Sequence, residues 1–315
     1  MNRFALAAVA AAAMMSFGAA QAAGFPAKDV KVIVPYAPGG GVDVTVRMLG
    51  EVAPKYLGGH NLIVENMPGG GGVTGQAAGA RAKADGYTML AYTSSVVSNP
   101  VLKKAPFTTK DFQPVAMYCF DPELLVVPVD SPIKNLEDFI AAAQKDPVSL
   151  ATPGHSTSHH IACLMLAKEK NLKFRYVHNK GASEQFAQIM GNHVQSAMVA
   201  YGEAAGLIKD GKVRAIGMMS NGNYPGAEKI QRFSSVGFNV EWGAFRGLAV
   251  PAKTPAENVK ILSDAFTKMT ADPAYVKRMN DASFPLVFKN SEDFTKLANE
   301  TAQIIVDMKD VLTAK

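Results

Sequence analysis

Three loops in the first half of the sequence have residues suited to binding an anion: Pro38–Gly41, Pro68–Gly72 and Thr93–Ser95. Each follows a predicted strand, and the first two come directly before a predicted helix. The first turn of a helix leaves backbone N–H groups free and has the positive end of the helix dipole, so such junctions hold carboxylates and phosphates. Glycine lets the backbone approach the ligand without an intervening Cβ atom. One such loop could be a simple turn, but three at successive strand ends favour a binding site.

The middle of the chain repeats this arrangement. Gly154–His159 and Asn179–Ser183 each follow a predicted strand and precede a predicted helix. Helix capping alone could explain Ser158 and Ser183, since serine is favoured at the N-cap position. If loops from both parts of the chain face one cleft, their N–H groups and hydroxyls could hold a carboxylate with little fixed positive charge.

The sequence does not support a nucleotide site. Gly70-x-Gly72-x-x-Gly75 matches the dinucleotide-binding pattern and lies between a predicted strand and a predicted helix. The ribose-binding acid should follow about 20 residues later, but Thr93–Ser95 occupies that place. Neither glycine loop contains the Gly-Lys-Ser/Thr of a nucleoside-triphosphate-binding loop. We therefore predict no cofactor.

Two enzyme-like patterns are weaker alternatives. The Gly154–Ser158 loop resembles the nucleophile elbow of serine hydrolases but lacks its closing glycine, so a hydrolase that uses Ser156 or Ser158 stays open. His155 and His159 have the spacing of metal ligands on a helix, but His155 should lie in the loop, and no third carboxylate or thiolate is near. We predict neither catalysis nor a metal site.

Strand-like and helix-like segments alternate along the whole chain and position these loops. Val30–Tyr36 predicts a buried strand, and Val42–Leu57 has apolar residues every three or four positions, as an amphipathic helix does. Repeated strand–loop–helix units indicate an α/β fold with a mostly parallel sheet. Two single strands, Glu123–Val129 and Phe245–Pro251, bracket the middle block. This predicts two domains with an interdomain cleft, where small ligands commonly bind.

The first 22 residues predict a secretory signal peptide. Arg3 precedes an apolar, alanine-rich run, and Ala20-Gln21-Ala22 fits the cleavage rule, with the cut before Ala23. The run is too short and too rich in alanine to predict a membrane anchor, and no later stretch predicts membrane insertion. We expect an exported, periplasmic chain. Cys119 and Cys163 lie among apolar residues and predict buried thiols, although a disulfide stays open.

The composition excludes several broad classes. The chain has 315 residues, of which 48% are hydrophobic, so it is long enough for two domains and too apolar to be disordered. Lys and Arg number 32 against 27 Asp and Glu, a net charge of +5 with no basic block. A nucleic-acid-binding protein would cluster its excess charge, so we predict no nucleic-acid partner. The mild surplus is compatible with an anionic small ligand.

The order of these motifs resembles a known family. VKVIVPYAPGGGVD, NLIVENMPGGGGVTG and ADGYTML, followed by LLVVPVDSP, PGHSTSHH, NKGA and FRGLAVPAKTP, resemble the Bug family of extracytoplasmic solute receptors, which serve tripartite tricarboxylate transporters. The resemblance covers nearly all of the chain after the signal peptide. It implies a two-domain α/β fold like that of type II periplasmic binding proteins, with two crossover strands and a cleft that closes on a carboxylated ligand. The first domain would span residues 23–124 and 246–315, and the second residues 125–245.

The resemblance also implies which residues line the cleft. The first domain would contribute Tyr36, Pro38, Gly39, Gly40, Gly41, Asp43, Thr93, Ser94 and Ser95. The second would contribute Gly154, Ser156, Thr157, Ser158, His159, Lys180, Gly181, Ala182 and Ser183. The chain departs from the family at His178-Asn179, where a Tyr or Phe usually precedes the Lys-Gly, and at Gln195-Ser196, where an Asp is common. The first departure lies on the wall expected to contact the far end of the ligand.

The function that the resemblance implies is that of a periplasmic receptor without catalytic activity. It would capture a small carboxylate (a di- or tricarboxylate, an amino acid or an aromatic acid) and deliver it, as a monomer, to the membrane permease subunits of a transporter. Closure would occur about the crossover strands, near Leu124–Pro128 and Gly247–Pro251. An extracytoplasmic sensor for a membrane signalling protein needs the same ligand-closed state and is an alternative; a serine hydrolase is a weaker one.

Overall fold

The computed structural model describes residues 24–313, and the predicted signal peptide, residues 1–22, lies outside the described residues. Within residues 24–313 the chain forms ten strands and eleven α-helices. The strands are β1 (Val30–Val34), β2 (Leu62–Asn66), β3 (Thr88–Thr93), β4 (Phe112–Pro128), β5 (Val148–Thr152), β6 (Phe174–His178), β7 (Ser196–Ala200), β8 (Val213–Met218), β9 (Gly243–Pro251) and β10 (Leu286–Lys289). The helices are α1 (Gly41–Val52), α2 (Val73–Ala80), α3 (Ser94–Leu102), α4 (Leu136–Lys145), α5 (Ser158–Lys170), α6 (Ala182–Met190), α7 (Tyr201–Lys209), α8 (Ala256–Ala271), α9 (Pro273–Asp281), α10 (Ser291–Asp307) and α11 (Lys309–Thr313).

Helix α1 shows how the sequence pattern produces these elements. Val46, Leu49 and Val52 recur every three residues on the face of the helix that packs into an apolar cluster with β1. The predicted helix over Val42–Leu57 is shorter in the structure and is followed by a 3₁₀ turn. Pro54 has no N–H with which to continue the helical hydrogen bonds, so the helix ends before it.

The strands form a mixed sheet in the order β2-β1-β3-β9-β4-β7-β5-β6, and β8 and β10 also pair with β4. In the first domain β2, β1 and β3 are parallel, and β9 is antiparallel to β3 and β4. In the second domain β6, β5 and β7 are parallel, and β4 is antiparallel to β7. The predicted α/β fold is confirmed, but the prediction of a mostly parallel sheet is wrong: among the described residues four strand pairings are parallel and five are antiparallel, because β4 and β9 run against their neighbours. Because parallel strands end at the same edge, the loops and helix N-termini that follow them collect there.

Strand β4 connects the two domains. Its residues Phe112–Pro122 pair with β9, and its residues from Glu123 onward pair with β7 and β8. The prediction of a separate strand at Glu123–Val129 is therefore wrong: this segment is the second part of a 17-residue strand. Pro122 suggests a strand break, but a proline lacks only the N–H, and Pro122 stays in register with Gly243.

The chain returns to the first domain just before β9. Trp242 N–H donates to Met219 O at 3.0 Å, and Trp242 O accepts from Glu123 N–H at 3.0 Å. All of β9 then pairs with strands of the first domain. Gly247–Pro251 therefore lies inside the first sheet, and the crossing itself lies near Trp242.

Helix α3 follows directly after Thr93, where the sequence predicts only a turn. β-branched Val96-Val97 and Pro100 are unfavourable in a helix, which is why the pattern does not suggest one. In the structure α3 packs against α10 and β9, and this tertiary packing outweighs the local preference. The third anion-type loop thus also leads into a helix N-terminus.

The interior is apolar on both faces of the sheet, with separate clusters that contain β1 with α1 and β7 with α6. Cys119 and Cys163 are free and buried, as predicted. Over residues 24–313 the helices are all too short or too polar to span a bilayer.

Candidate functional site

Helices from both domains begin at one cavity between the domains. The first turns of α1 and α3 reach it from the first domain, and those of α5, α6 and α7 reach it from the second. The cavity is lined by Tyr36, Gly40, Gly41, Val42, Thr93, Ser94, Ser95, Pro153, Thr157, Ser158, His159, Ala182, Glu203, Ala244, Phe245 and Arg246.

The N-termini of α1 and α6 face each other across this cavity. A Cβ atom built on Gly40 would lie 3.6 Å from Ala182 N. Among residues 24–313 no acceptor is found for the N–H groups of Gly41, Val42 or Ala182. Free N–H groups at helix starts, aimed at a shared space, are suited to bind an anion.

The predicted hydroxyl residues of the first domain form a connected network at the cavity wall. Tyr36 OH lies 2.5 Å from Ser95 Oγ and 3.3 Å from Thr93 Oγ1. Gln76 donates to Ser95 Oγ at 2.6 Å, and Asn99 donates to Gln76 Oε1 at 2.7 Å. Burial raises the pKa of Tyr36, so its hydroxyl stays protonated and can donate.

Eight of the predicted residues do not line the cavity. They are Pro38, Gly39, Asp43, Gly154, Ser156, Lys180, Gly181 and Ser183. The structure places them behind the cavity wall or in contacts between the domains.

Asp43 shapes the first glycine loop. Its carboxylate accepts from Gly39 N–H at 2.9 Å, from Arg47 Nε at 3.0 Å and from Asn66 Nδ2 at 2.9 Å. Burial opposes the charge, but these hydrogen bonds hold the pKa of Asp43 below its usual value. Gly39 has φ of +79°, a conformation that favours glycine, so the carboxylate stabilises a turn that only this residue type adopts easily.

Lys180, Gly181 and Ser183 contact the first domain directly. Ala37 N–H donates to Lys180 O at 3.3 Å, and Ser183 Oγ donates to Pro38 O at 3.1 Å. A Cβ atom on Gly181 would lie 3.2 Å from Ala37 N. These contacts close one side of the cleft.

Gly154 and Ser156 close the other side. Ser98 Oγ donates to Ser156 O, and Lys103 Nζ donates to both Gly70 O and His155 O at 2.7 Å. Burial lowers the pKa of Lys103 to about 8. The glycine loop at Pro68–Gly72 thus touches the second domain and does not line the cavity.

The cavity floor contains a buried ion cluster. Arg246 Nη2 lies 2.9 Å from Asp121 Oδ2 and 3.0 Å from Glu203 Oε1. Arg246 is 1% exposed, and its Nε–H has no acceptor among the described residues. Burial raises the pKa of Asp121 to about 7, although Arg246 opposes this shift.

His159 connects this cluster to a second buried acid. Its Nδ1 hydrogen-bonds Glu123 Oε2, and its Nε2 lies 3.7 Å from Glu203 Oε2. Burial opposes a charged imidazole, but the two carboxylates raise the pKa of His159 above its usual value. His159 therefore lies between two buried acids, with each ring nitrogen directed at a carboxylate.

Sequence reasoning missed the acids and the arginine. Arg246 is the one charged residue in the apolar run Phe245–Val250, and Asp121 and Glu123 similarly interrupt the long strand β4. A charged side chain isolated in a buried strand requires a partner of opposite charge. The isolated charges in these two strands were therefore the sequence signal for a buried ion cluster. Glu203, in the first turn of α7, gives no such signal because acids are common there.

The hydrolase geometry is not favoured. Ser156 is fully buried away from the cavity, and its Oγ lies 2.7 Å from His155 Nδ1. The His155 ring packs on His160 and His178, with centroids 4.6 and 5.3 Å away. These neutral rings supply no negative charge to orient His155 as a base. Within residues 24–313 no group of His, Cys, Asp or Glu side chains is arranged to hold a metal ion.

Known proteins share this sequence and fold. The family described as tripartite tricarboxylate transporter family receptor matches residues 45–308. A relative from Cupriavidus necator, named UPF0065 protein in gbd 5′region, is 32% identical over 297 residues, which are 90% of this chain and 87% of the relative.

Solved structures of other proteins have the same fold. One described as a periplasmic transporter superposes with a TM-score of 0.87 at 27% identity, covering 93% of this chain and 99% of that one. MatC from Rhodopseudomonas palustris, solved with bound malate, has a TM-score of 0.84 at 23% identity, and the match covers 91% of this chain and 100% of MatC. The predicted periplasmic-binding-protein fold is confirmed. This chain belongs to the family of tripartite tricarboxylate transporter receptors.

Proposed function

We propose that the chain is a periplasmic receptor that captures a small carboxylate in this cavity and delivers it to the membrane permease subunits of a transporter. The observation that supports the proposal best is the meeting of free helix N-termini from both domains in one enclosed space. Gly41 and Val42 of α1 and Ala182 of α6 have N–H groups that an anion could accept from.

Such a site couples binding to domain closure. A carboxylate that accepts hydrogen bonds from N–H groups of both domains stabilises the closed arrangement, in which the two domains are in contact. We infer that the domains rotate about the two connections, in β4 at Pro122–Glu123 and near Trp242, because the chain passes from one set of paired strands to the other there, and that the other contacts between the domains form on closure. The domain boundaries at 124/125 and 245/246 belong to the same proposal.

Transport is favoured over sensing by family membership, since the family is defined by transporter receptors. The carboxylate class is favoured by the site and by the malate in the related MatC structure. Export with cleavage after Ala22, and a monomeric state, belong to the same proposal.

A binding screen tests the function. The chain purified from the periplasmic fraction is melted with mono-, di- and tricarboxylates, amino acids and aromatic acids. A ligand at a hundred times its Kd should stabilise by about 2.7 kcal/mol. Failure of every carboxylate would contradict the proposal. Turnover of an ester substrate, with labelling of Ser156 or Ser158, would favour the hydrolase instead.

Delivery is tested separately. Cells with the permease subunits should take up the best ligand of the screen only when this chain is present. Uptake that does not depend on the chain, despite tight binding, would favour a sensor.

A further inference from the structure

The floor of the cavity contains more acidic than basic side chains. Among the described residues, the connected charges are Asp121, Glu123 and Glu203 against Arg246 and His159, all with side chains at most 6% exposed. With both basic groups protonated and all three acids ionised, one negative charge is unbalanced. The raised pKa of Asp121, about 7, is the expected response of a buried acid in such a group, which relieves part of this excess by holding a proton.

Glu203 is the acid of this group that faces the cavity. Asp121 accepts from Gly202 N–H at 2.9 Å and Glu123 binds His159, and neither acid lines the cavity. Glu203 shares Arg246 with Asp121, and its Oε2 accepts only a long hydrogen bond, of 3.5 Å, from Ala200 N–H and lies 3.7 Å from His159 Nε2. Glu203 therefore has hydrogen-bonding capacity left toward the cavity.

Glu203 is also next to the free N-terminus of α1. A Cβ atom built on Gly41 would lie 2.5 Å from Glu203 Oε1. The same Cβ atom would lie 2.6 Å from Arg246 Nη2, but Arg246 is already paired with both Asp121 and Glu203. A simple carboxylate bound to the N–H groups of Gly41 and Val42 would therefore be attracted by the helix and by Arg246 and repelled by Glu203. A molecule with a carboxylate and an ammonium group on neighbouring carbons would satisfy both.

We propose that the ligand is a zwitterionic amino acid, with its carboxylate at the helix N-termini and its ammonium group on Glu203. This inference rests on the proposed function, because it concerns the same cavity. A dicarboxylate would add two negative charges beside a buried group in which acids are already in excess of bases, which is unfavourable at low dielectric. An ammonium group neutralises that excess and forms charge-assisted hydrogen bonds.

Matched acids test the inference in the wild-type chain. Calorimetric titration compares L-alanine with L-lactate, and L-aspartate with L-malate, since each pair differs in an amino or hydroxyl group. We expect the amino acid of the tighter-binding pair to bind at least tenfold more tightly than its hydroxy acid. Equal or tighter binding of the hydroxy acid would overturn the inference and leave the receptor function intact. No binding by any carboxylate would contradict the receptor function itself.

Glu203→Gln tests the assigned group. The amino acid should lose at least tenfold in affinity, while the hydroxy acid should bind unchanged or more tightly. Asp210→Asn is the matched control, because Asp210 lies just after the same helix with a side chain 59% exposed, and it should change neither affinity. An equal gain for both acids would mean that Glu203 competes with the ligand for Arg246, and would overturn the inference. If Glu203→Gln does not fold, the wild-type affinity ratios still decide.

Discussion

Gly71 and Gly154 meet across the interdomain cleft so closely that a Cβ atom built on Gly154 would lie 2.9 Å from Gly71 Cα. Gly154 has φ of +149° and Gly71 has φ of +66°, conformations that side chains disfavour. Two glycine loops that the sequence presents as separate anion-type turns therefore touch each other. At this contact, glycine permits the domains to approach.

Gly154→Ala should weaken ligand binding at least tenfold, because the new Cβ would prevent the contact with Gly71 that accompanies closure. The backbone strain should also cost about 1–3 kcal/mol of stability. Gly59→Ala is the control: Gly59 has φ of +88° and nothing within 4 Å of a built Cβ, so it should lose stability without losing affinity. Calorimetry and urea denaturation measure the two effects. Unchanged affinity in folded Gly154→Ala would show that closure does not need this contact.

Gly40→Val should reduce affinity by well over tenfold with little loss of stability. Gly40 has φ of −79°, so a side chain causes no backbone strain, and its Cβ would lie between the N-termini of α1 and α6, where the carboxylate is proposed. Gly206→Val is the control, since Gly206 is exposed and has nothing within 4 Å of a built Cβ. Both variants are compared by titration and melting. Wild-type affinity in Gly40→Val would place the anion elsewhere.

Arg246→Met should destabilise the fold by about 3–5 kcal/mol, because it leaves Asp121 and Glu203 buried without their counter-ion. Adding Asp121→Asn should restore part of this loss, since the amide oxygen can still accept from Gly202 N–H. Urea unfolding at neutral pH provides the free energies.

The control for Arg246 is an exposed ion pair. Arg278 binds Glu51 with side chains 54% and 51% exposed, so Arg278→Met should cost less than about 1 kcal/mol. Equal losses for the two arginines would mean that the buried cluster contributes no more than a surface pair.

Stability should fall in mild acid because of His160. This ring is 3% exposed, its Nδ1 accepts from Ser156 N–H at 3.1 Å, and burial lowers its pKa to about 2, with the neighbouring His178, His155 and Lys103 adding to the shift. The unfolded chain takes up a proton near pH 6.5, and the folded chain does not. The contribution of neutral His160 is therefore complete above pH 6.5 and is lost as pH falls, by about 2 kcal/mol at pH 5.

His160→Asn isolates this effect, because the asparagine oxygen can accept from Ser156 N–H without titrating. The raised pKa values of Asp121 and Glu123 act in the opposite direction, so the measure is the difference between wild type and variant. Urea unfolding between pH 7.5 and 5 should show a steeper fall in the wild type. Parallel curves would indicate that His160 is protonated in the folded chain.

Much of the site could be predicted because it depends on local order. A strand, a glycine or hydroxyl loop and a helix follow one another in sequence, and parallel pairing then places the helix N-terminus at the sheet edge. Tyr36, Gly40, Thr93 and Ser158 line the cavity for this reason. Helix α3 was missed because its own residues disfavour a helix and its packing against α10 is not visible in the pattern.

By itself, the sequence determined the α/β alternation, the family and the loops that surround the cavity. Only the tertiary structure decided the charges on its floor. Arg246 lies opposite Cys119 in the pairing of β9 with β4, and Asp121 is two residues further along β4, on the same face. That register includes irregularities between Pro114 and Ala116 and between Met117 and Cys119. Each such shift moves the following side chains relative to the partner strand, so which acid meets Arg246 is settled by long-range pairing and not by local sequence.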